Sequence, residues 1–457
     1  MLKNICVFAV IVSMAFLSGC AMLPGQKPAP KPEAEKPAAA TVALLVPRTG
    51  AAKVVKALVD GAKLGASSQA KTRNPAQIRV IYTDGTWLEQ VGQLPSDTVI
   101  GGLLSDGTYA QLKSAGILEK RVVFAFRSKL PAGDEGSRAW RFFHSLDDQV
   151  SACSKFVADS LGVSQVASFG PNDAYSNAYL ALLEKNLSAR GITLQRINAE
   201  GDSTQWGELL KPVINPQTNE ATGTLLPQTP FKAVFLTDTW RRLTAVHTAF
   251  ASNGEDRLYM IGTTLWDDAN VRGNQEAARY ALVAWPSAFL RNSAPASLAN
   301  TSYGNFWGAL GYDFARFAAR LAISGRPSSQ EVTDAARTTS SMTFAMAPIS
   351  YNRQGIASQK LFMVQAGAGG SILADSAAMK EAREAAVQAV EMRGLPQDPS
   401  LDGTPAEAGQ NQDGAITPAA AGTAPQAAPA VQPRSTEPIM RSAPNSSYRL
   451  SLPGAAR

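Results

Sequence analysis

Short apolar runs alternate with helical apolar patterns through the middle of this chain, from about residue 41 to residue 372. Val42 to Val46 is an unbroken apolar run, which is typical of a strand buried on both faces. After it, Leu58, Ala62 and Gly65 recur at helical spacing. Repetition of this strand-then-helix pattern predicts β-α-β units and therefore parallel sheets.

The pattern forms two sets of units, the second starting near residue 146. We therefore expect an α/β protein with two doubly wound parallel-sheet lobes, a hinge and an interlobe cleft. The predicted strands are 42–46, 78–82, 98–102, 121–126, 165–169, 192–197, 231–236 and 257–261. The predicted helices are 54–65, 109–118, 149–161, 174–190, 240–250 and 376–393.

The N-terminus has the layout of a secretory signal peptide. Lys3 precedes an apolar run from Ile5 to Leu17, which is shorter than the roughly 20 residues that span a bilayer. The run ends in Leu-Ser-Gly-Cys20, which resembles the lipobox of bacterial lipoproteins. We predict that residues 1–19 are removed and that Cys20 is lipidated. The alternative is a plain cleaved signal peptide with a chance cysteine.

Lipidation would hold the chain to a membrane, facing the periplasm. Ala21 and Met22 follow Cys20 without an aspartate. By resemblance to enteric lipoproteins, this favours the outer membrane over the inner one.

Proline-rich segments flank the predicted body. They favour an extended spacer before it and disorder after it. The lobes are expected to connect near Leu146 and Pro286. The predicted organisation is a signal peptide (1–19), lipidated Cys and linker (20–40), lobe 1 (about 41–146 and 287–343), lobe 2 (about 147–286 and 344–372), a helix (373–394) and a disordered tail (395–457).

Composition narrows the classes of partner. The chain has 457 residues, 45% of them hydrophobic, which supports a substantial core. The net charge of +6 is dispersed, and the predicted location argues against nucleic acid as a partner. Once Cys6 is removed and Cys20 is lipidated, Cys153 has no partner for a disulfide and is expected to be a buried apolar residue.

Signatures of catalysis are missing from the sequence. Gly102 to Thr108 has the outer spacing of a phosphate loop but lacks its lysine. The adjacent carboxylates Asp147-Asp148 and Asp267-Asp268 are better explained as helix or loop caps than as catalytic pairs. No His/Cys pattern has zinc spacing. We therefore predict a non-enzymatic protein without a cofactor or metal.

Polar residues that follow the strands are the candidate ligand contacts, because ligands of open α/β sheets bind beyond the carboxyl ends of the strands. Arg127 would supply fixed positive charge, Asp238 would receive an ammonium group, and Trp266 would stack on an apolar body. The alternative is ordinary loop polarity. The candidates are Thr49, Ser105, Thr108, Arg127, Ser128, Tyr175, Asp238, Thr263 and Trp266.

The order of several segments resembles the type I periplasmic binding proteins, the group that includes leucine/isoleucine/valine-binding proteins. The resemblance covers about residues 41 to 372 and implies their two-lobed fold and a small polar ligand, amino-acid-like or anionic. The segments that carry it are Thr41–Gly50, Asp60–Gly65, Val99–Ser105, Gly311–Arg316, and Ile349–Gly355 with Leu361–Gln365 as a closing hairpin.

Within this group, Phe231–Asp238 and Tyr259–Asp267 look most like the penicillin-binding protein activator lipoproteins. That resemblance implies regulation of a cell-wall synthase through protein contact, instead of delivery to an ABC permease. The chain departs from amino-acid binders at Phe126-Arg127-Ser128, where they carry Ala-Thr or Ser-Thr, and at Tyr175-Ser176, where they carry Tyr-Gly. Ser105 and Ser128 match carboxylate-binding positions of that group.

Overall fold

The computed structural model describes residues 39–69, 75–267, 280–323, 325, 327–367 and 370–395. The predicted signal peptide and Cys20 lie outside these residues, as do the predicted linker before residue 39 and the predicted tail after residue 395. The strands are β1 (Thr41–Val46), β2 (Gln77–Tyr82), β3 (Val99–Gly102), β4 (Val122–Ala125), β5 (Trp140–Arg141), β6 (Gln165–Gly170), β7 (Thr193–Asn198), β8 (Gln217–Thr218), β9 (Leu225–Leu226), β10 (Ala233–Leu236), β11 (Tyr259–Ile261), β12 (Val283–Ser287), β13 (Ile349–Tyr351), β14 (Ala357–Gln359), β15 (Phe362–Gly367) and β16 (Gly370–Leu373).

The α-helices follow the strands in the expected alternation. They are α1 (Ala52–Ser67), α2 (Trp87–Gly92), α3 (Asp106–Ser114), α4 (Leu146–Lys155), α5 (Ala174–Ser188), α6 (Trp206–Ile214), α7 (Leu243–Ala251), α8 (Ala296–Ala299), α9 (Phe306–Arg320), α10 (Ser329–Thr339) and α11 (Ser376–Arg393).

The first lobe is built on a parallel sheet of order β2-β1-β3-β4-β5. Side chains of β1 alternate between its two faces, as the pleat of a strand requires. Leu44 belongs to the core beneath α1, α9 and α10, and Leu45 belongs to the core beneath α2 and α3. Both residues are fully buried. This explains why the sequence of β1 is apolar from Val42 to Val46.

Helices α1 and α9 pack backbone to backbone on one face of this sheet. A Cβ on Gly61 would overlap the carbonyl oxygen of Gly308, and a Cβ on Gly311 would overlap that of Leu58. Glycine is therefore required at this crossing for steric reasons.

The second lobe repeats the strand order of the first in its parallel part, β7-β6-β10-β11-β12. Here too helices cover both faces, with α6 and α7 on one core and α4, α5 and α11 on the other. The sequence pattern predicts a purely parallel sheet, and this is wrong at one edge. There β15 pairs antiparallel with β12, and β16 pairs antiparallel with β15.

The chain returns to the second lobe later than the predicted residue 344. Apolar residues between Phe344 and Leu361 pack into the core of the first lobe, and the chain joins the second sheet only at β15 and β16. The hairpin partner of β13 is β14, not the segment Leu361–Gln365, which forms most of β15 instead. A buried carboxylate holds the start of this segment, because Asp313 accepts the backbone N–H of Ala345 at 2.8 Å.

Helix α4 begins three residues earlier than its apolar pattern predicts. Ser145 and Asp148 form a capping box, in which each side chain accepts a backbone N–H from the other residue. The helix changes to a π-turn at Phe156–Ser160. Cys153 is buried in α4, as expected. In the described part of the chain, no helix combines the length and apolarity needed to cross a bilayer.

Candidate functional site

A cavity of about 840 Å³ lies between the two lobes. The first lobe contributes Ser128 and Lys129, which follow β4. The second lobe contributes one face of α5, and the β13–β14 hairpin closes a further side. The volume falls within the roughly 300–1,000 Å³ that is usual for small-molecule sites.

Helix α5 supplies an apolar wall. Ala174, Ala178 and Leu182 are four residues apart, so they lie on one face of the helix, and all three line the cavity. The helix begins at this wall because Asp173 caps it, accepting the backbone N–H of Ser176 at 2.8 Å.

Arg141 forms the charged floor of the cavity, and its hydrogen bonds are all internal. Its side chain is 4% exposed and donates to Glu135 Oε1 at 3.1 Å and to Asp148 Oδ2 at 3.3 Å. It also donates to the carbonyl oxygens of Phe143 and Ala357. One guanidinium therefore ties together β5, the start of α4 and the β13–β14 hairpin, which is a structural role.

Asp148 connects the lobes at the same place. Its Oδ1 accepts the hydroxyl of Ser358 at 3.2 Å, while its Oδ2 accepts the backbone N–H of Ser145 at 2.7 Å. Since Ser358 lies on the hairpin and Asp148 on α4, this carboxylate joins the first lobe to the second.

Two charged side chains at the cavity can still pair with a ligand. Lys129 and Asp147 are exposed and line it from opposite lobes. Among the residues that the structure describes, neither forms an ion pair or a side-chain hydrogen bond.

Of the nine predicted ligand contacts, Ser128 is the one that lines this cavity. Thr49 is exposed in the turn after β1. Ser105 caps α3, accepting the backbone N–H of Thr108 at 3.1 Å, and the two hydroxyl oxygens are 2.9 Å apart. Contact of these residues with a ligand stays a prediction.

Arg127 is buried instead of facing an open rim. Its side chain is 5% exposed, pairs with Asp106 through Nη2, and lies over the ring of Tyr109, 5.3 Å from its centroid. Its Nε and Nη1 have no hydrogen-bond partner among the described residues. Asp106 therefore largely neutralises the positive charge of Arg127 that the sequence predicts at the rim of the cleft.

The candidates of the second lobe form an internal cluster. Trp266 is 1% exposed, and its Nε1 donates to the carbonyl oxygen of Asp238 at 2.8 Å. The Asp238 carboxylate accepts the backbone N–H of Thr239 and pairs with Arg242 at 3.2 Å. Thr263 caps the short turn that carries Trp266.

Tyr175 packs, half-buried, against the core of the second lobe. Its ring centroid is 6.3 Å from that of Tyr179. Burial raises the pKa of the Tyr175 hydroxyl above its ordinary value. This residue therefore packs in the lobe instead of lining the cavity.

No protein family model matches the chain, and no curated protein matches its sequence. Solved structures do resemble it in fold. One is described as a branched-chain amino acid ABC transporter from Rhodospirillum rubrum, with a TM-score of 0.57 and 13% identity, covering 74% of this chain and 100% of that one. Another is an ABC transporter substrate-binding protein from Desulfitobacterium hafniense in complex with Leu, with a TM-score of 0.52, 14% identity and the same coverage.

A third similar structure is the C-domain of LpoA from Haemophilus influenzae, described as a regulator of PBP1A. It has a TM-score of 0.52 and 12% identity and covers 74% of this chain and 100% of that one. The chain has the type I periplasmic-binding-protein fold. This confirms the expected two-lobed α/β fold class and the resemblance to both groups.

Several residues that line the cavity are not among the contacts that the sequence predicts. Arg141 and the β13–β14 hairpin line the cavity but do not follow a long apolar strand, whereas Lys129 lies next to the predicted contact Ser128 in the loop after β4. The sequence predicts that the pair Asp147-Asp148 caps a helix or loop, and Asp148 forms part of the capping box of α4. Its neighbour Asp147 is a second carboxylate that the capping box does not use. This unused carboxylate is the sequence signal for a charge at the cavity. Among the described residues, no group of His, Cys, Asp and Glu is arranged to hold a metal ion.

Proposed function

We propose that this protein is a non-enzymatic, lipid-anchored envelope protein that binds a small polar ligand, amino-acid-like or anionic, in the interlobe cavity. The observation that carries the proposal is the cavity of about 840 Å³ walled by both lobes. A ligand that touches both walls binds the closed arrangement better than an open one and so favours closure.

The composition of the walls supports binding over catalysis. Ala174, Ala178 and Leu182 offer apolar surface, while Ser128 and Asn352 offer polar groups that can orient a ligand. The most buried charge, Arg141, is committed to protein partners. This arrangement suits recognition.

Binding assays on the full chain, and on a variant whose side chain fills the cavity, test the proposal. Calorimetry and heat-shift assays with free amino acids and muropeptides should reveal a ligand for the full chain. Ala178→Trp, placed on the cavity wall, should abolish its binding. Ala181→Trp is the matched control, because Ala181 is an exposed residue of the same helix that does not line the cavity. Equal binding by both variants, or no ligand at all, would count against a cavity ligand.

A second candidate function is that of a penicillin-binding protein activator, which regulates peptidoglycan synthesis through protein contact. The specific observation in its favour is that three predicted ligand contacts, Arg127, Asp238 and Trp266, form ion pairs or hydrogen bonds with residues of their own lobes. The likeness to the LpoA C-domain is consistent with this reading. The test is glycan polymerisation by the penicillin-binding protein of the same envelope, with and without this chain. Stimulation that survives Ala178→Trp favours the activator.

A further inference from the structure

We propose that the ligand of the interlobe cavity is a short peptide with both termini free and an apolar side chain, with Lys129 pairing with its carboxylate and Asp147 with its ammonium group. This rests on the proposed ligand-binding function and names its ligand class.

The two charged side chains without a partner among the described residues, Lys129 and Asp147, indicate which charged groups the ligand carries at its two ends. Lys129 lies on the first lobe and Asp147 on the second, and both line the cavity. The other charged groups there have protein partners, because Arg141 pairs with both Glu135 and Asp148. A ligand with one positive and one negative group, each meeting a different lobe, complements this pair.

An apolar side chain fits between these charges. Ala174 and Ala178 have small side chains and leave room beside the wall of α5. On the hairpin side, Ile356 is 39% exposed and lines the cavity, so it offers apolar surface to a ligand. A ligand side chain that covers Ile356 and the α5 face removes this apolar surface from water, which strengthens binding.

The space favours a peptide over a single amino acid. The cavity of about 840 Å³ lies towards the upper end of the range for small-molecule sites. It adjoins a second cavity of about 440 Å³, with which it shares Asp148 and Ser358. A free amino acid would leave most of this volume unfilled.

A buried acceptor in the second cavity supports the same choice. Gln359 lines that cavity and is 2% exposed, and its Oε1 accepts no hydrogen bond among the described residues. A buried acceptor without a donor is costly, and a peptide N–H is a suitable donor.

Calorimetry with capped peptides tests the assignment on the full chain. The probes are the tripeptide Ala-Leu-Ala, its N-acetylated form, its C-amidated form, and free leucine. The free tripeptide should bind most tightly, and each cap should weaken binding about tenfold, as expected for the loss of one charge-assisted hydrogen bond. Lys129→Gln should remove the effect of amidation alone, and Asp147→Asn the effect of acetylation alone.

Matched controls are Lys53→Gln and Asp97→Asn, exposed charges outside both cavities that should leave every ratio unchanged. Capped peptides that bind as tightly as the free one, or leucine that binds better than the tripeptide, would overturn the assignment. If the peptides fail but another small molecule binds and Ala178→Trp blocks it, the peptide proposal is wrong and the ligand-binding function stands. If Ala178→Trp affects no ligand, both are wrong.

Discussion

At the scale of single residues, Arg127 shows how a predicted ligand contact becomes a stability determinant. Its guanidinium is buried and has one carboxylate partner, Asp106, among the described residues. Asp106 itself is 62% exposed. The pair therefore lies between an exposed ion pair, worth roughly 0–1 kcal/mol, and a buried one, whose disruption costs roughly 3–5 kcal/mol.

We expect Asp106→Ala to lower the free energy of unfolding by about 2 kcal/mol, because it leaves a buried cation without its carboxylate. Denaturant titration of the full chain measures the change. Asp97→Ala removes an exposed carboxylate that pairs with no described residue, and it should change the stability by less than about 0.5 kcal/mol. Equal effects of the two substitutions would mean that Arg127 does not depend on Asp106.

Asp313 gives a residue-scale prediction about pH. Burial raises the pKa of its carboxyl group to about 7, from an ordinary value of 3.8. The folded protein then holds this proton more tightly than the unfolded chain does. Its contribution to stability is therefore full below about pH 4 and is lost as the pH rises through about 7. Asp313→Asn cannot ionise, so the free energy of unfolding of the wild type should fall relative to this variant between pH 4 and pH 8.

Denaturant titrations of both proteins across this range measure that difference. Glu331→Gln is a useful comparison, since hydrogen bonds from Ser328 lower the pKa of that carboxyl and place its effect in the acid range. A difference between wild type and Asp313→Asn that stays constant from pH 4 to pH 8 would contradict the expected titration.

At the scale of elements, the crossing of α1 and α9 depends on the absence of side chains. Gly61→Ala would drive a Cβ into the carbonyl oxygen of Gly308, which is backbone and cannot rotate away. We expect a loss of about 3 kcal/mol or failure to fold, at the upper end of the usual cost of overpacking. Gly92→Ala is the control, because nothing lies within 4 Å of its Cβ position. Thermal unfolding of both variants distinguishes them, and similar melting temperatures would show that the two helices can move apart.

The same scale shows how far the sequence predicts the fold. Strand β1 and helix α11 match their predicted ranges within one residue, because an unbroken apolar run and an uninterrupted Ala- and Glu-rich stretch are strong local signals. The starts of α3 and α4 lie earlier than their apolar patterns, because polar caps and first-turn residues carry no apolar periodicity. The antiparallel edge formed by β15 and β16 depends on where the chain returns from the first lobe, which local patterns do not encode.

At the scale of the whole molecule, the shared strand order of the two lobes explains why fold class is easier to predict than the site. Parallel strands direct polar loops to one edge of each sheet, and the predicted ligand contacts lie in these loops. The cavity instead depends on the segments between lobes, namely the loop after β4, the start of α4 and the β13–β14 hairpin. Their placement results from tertiary contacts such as those of Arg141, which link residues far apart in the chain.

The membrane anchor is the remaining prediction at this scale. If Cys20 is lipidated, the mature chain from its own cells should begin at Cys20, and its N-terminal peptide should carry the added mass of fatty acyl groups. Each acyl CH₂ buried in a bilayer contributes about 0.8 kcal/mol, so such a chain should sediment with membranes. Cys20→Ser should lose the acyl mass, while the folded body keeps its melting temperature because residues 39–395 contain the cores of both lobes. A mature N-terminus beyond Cys20, or one at Cys20 without acyl mass, would leave the plain signal peptide as the correct alternative.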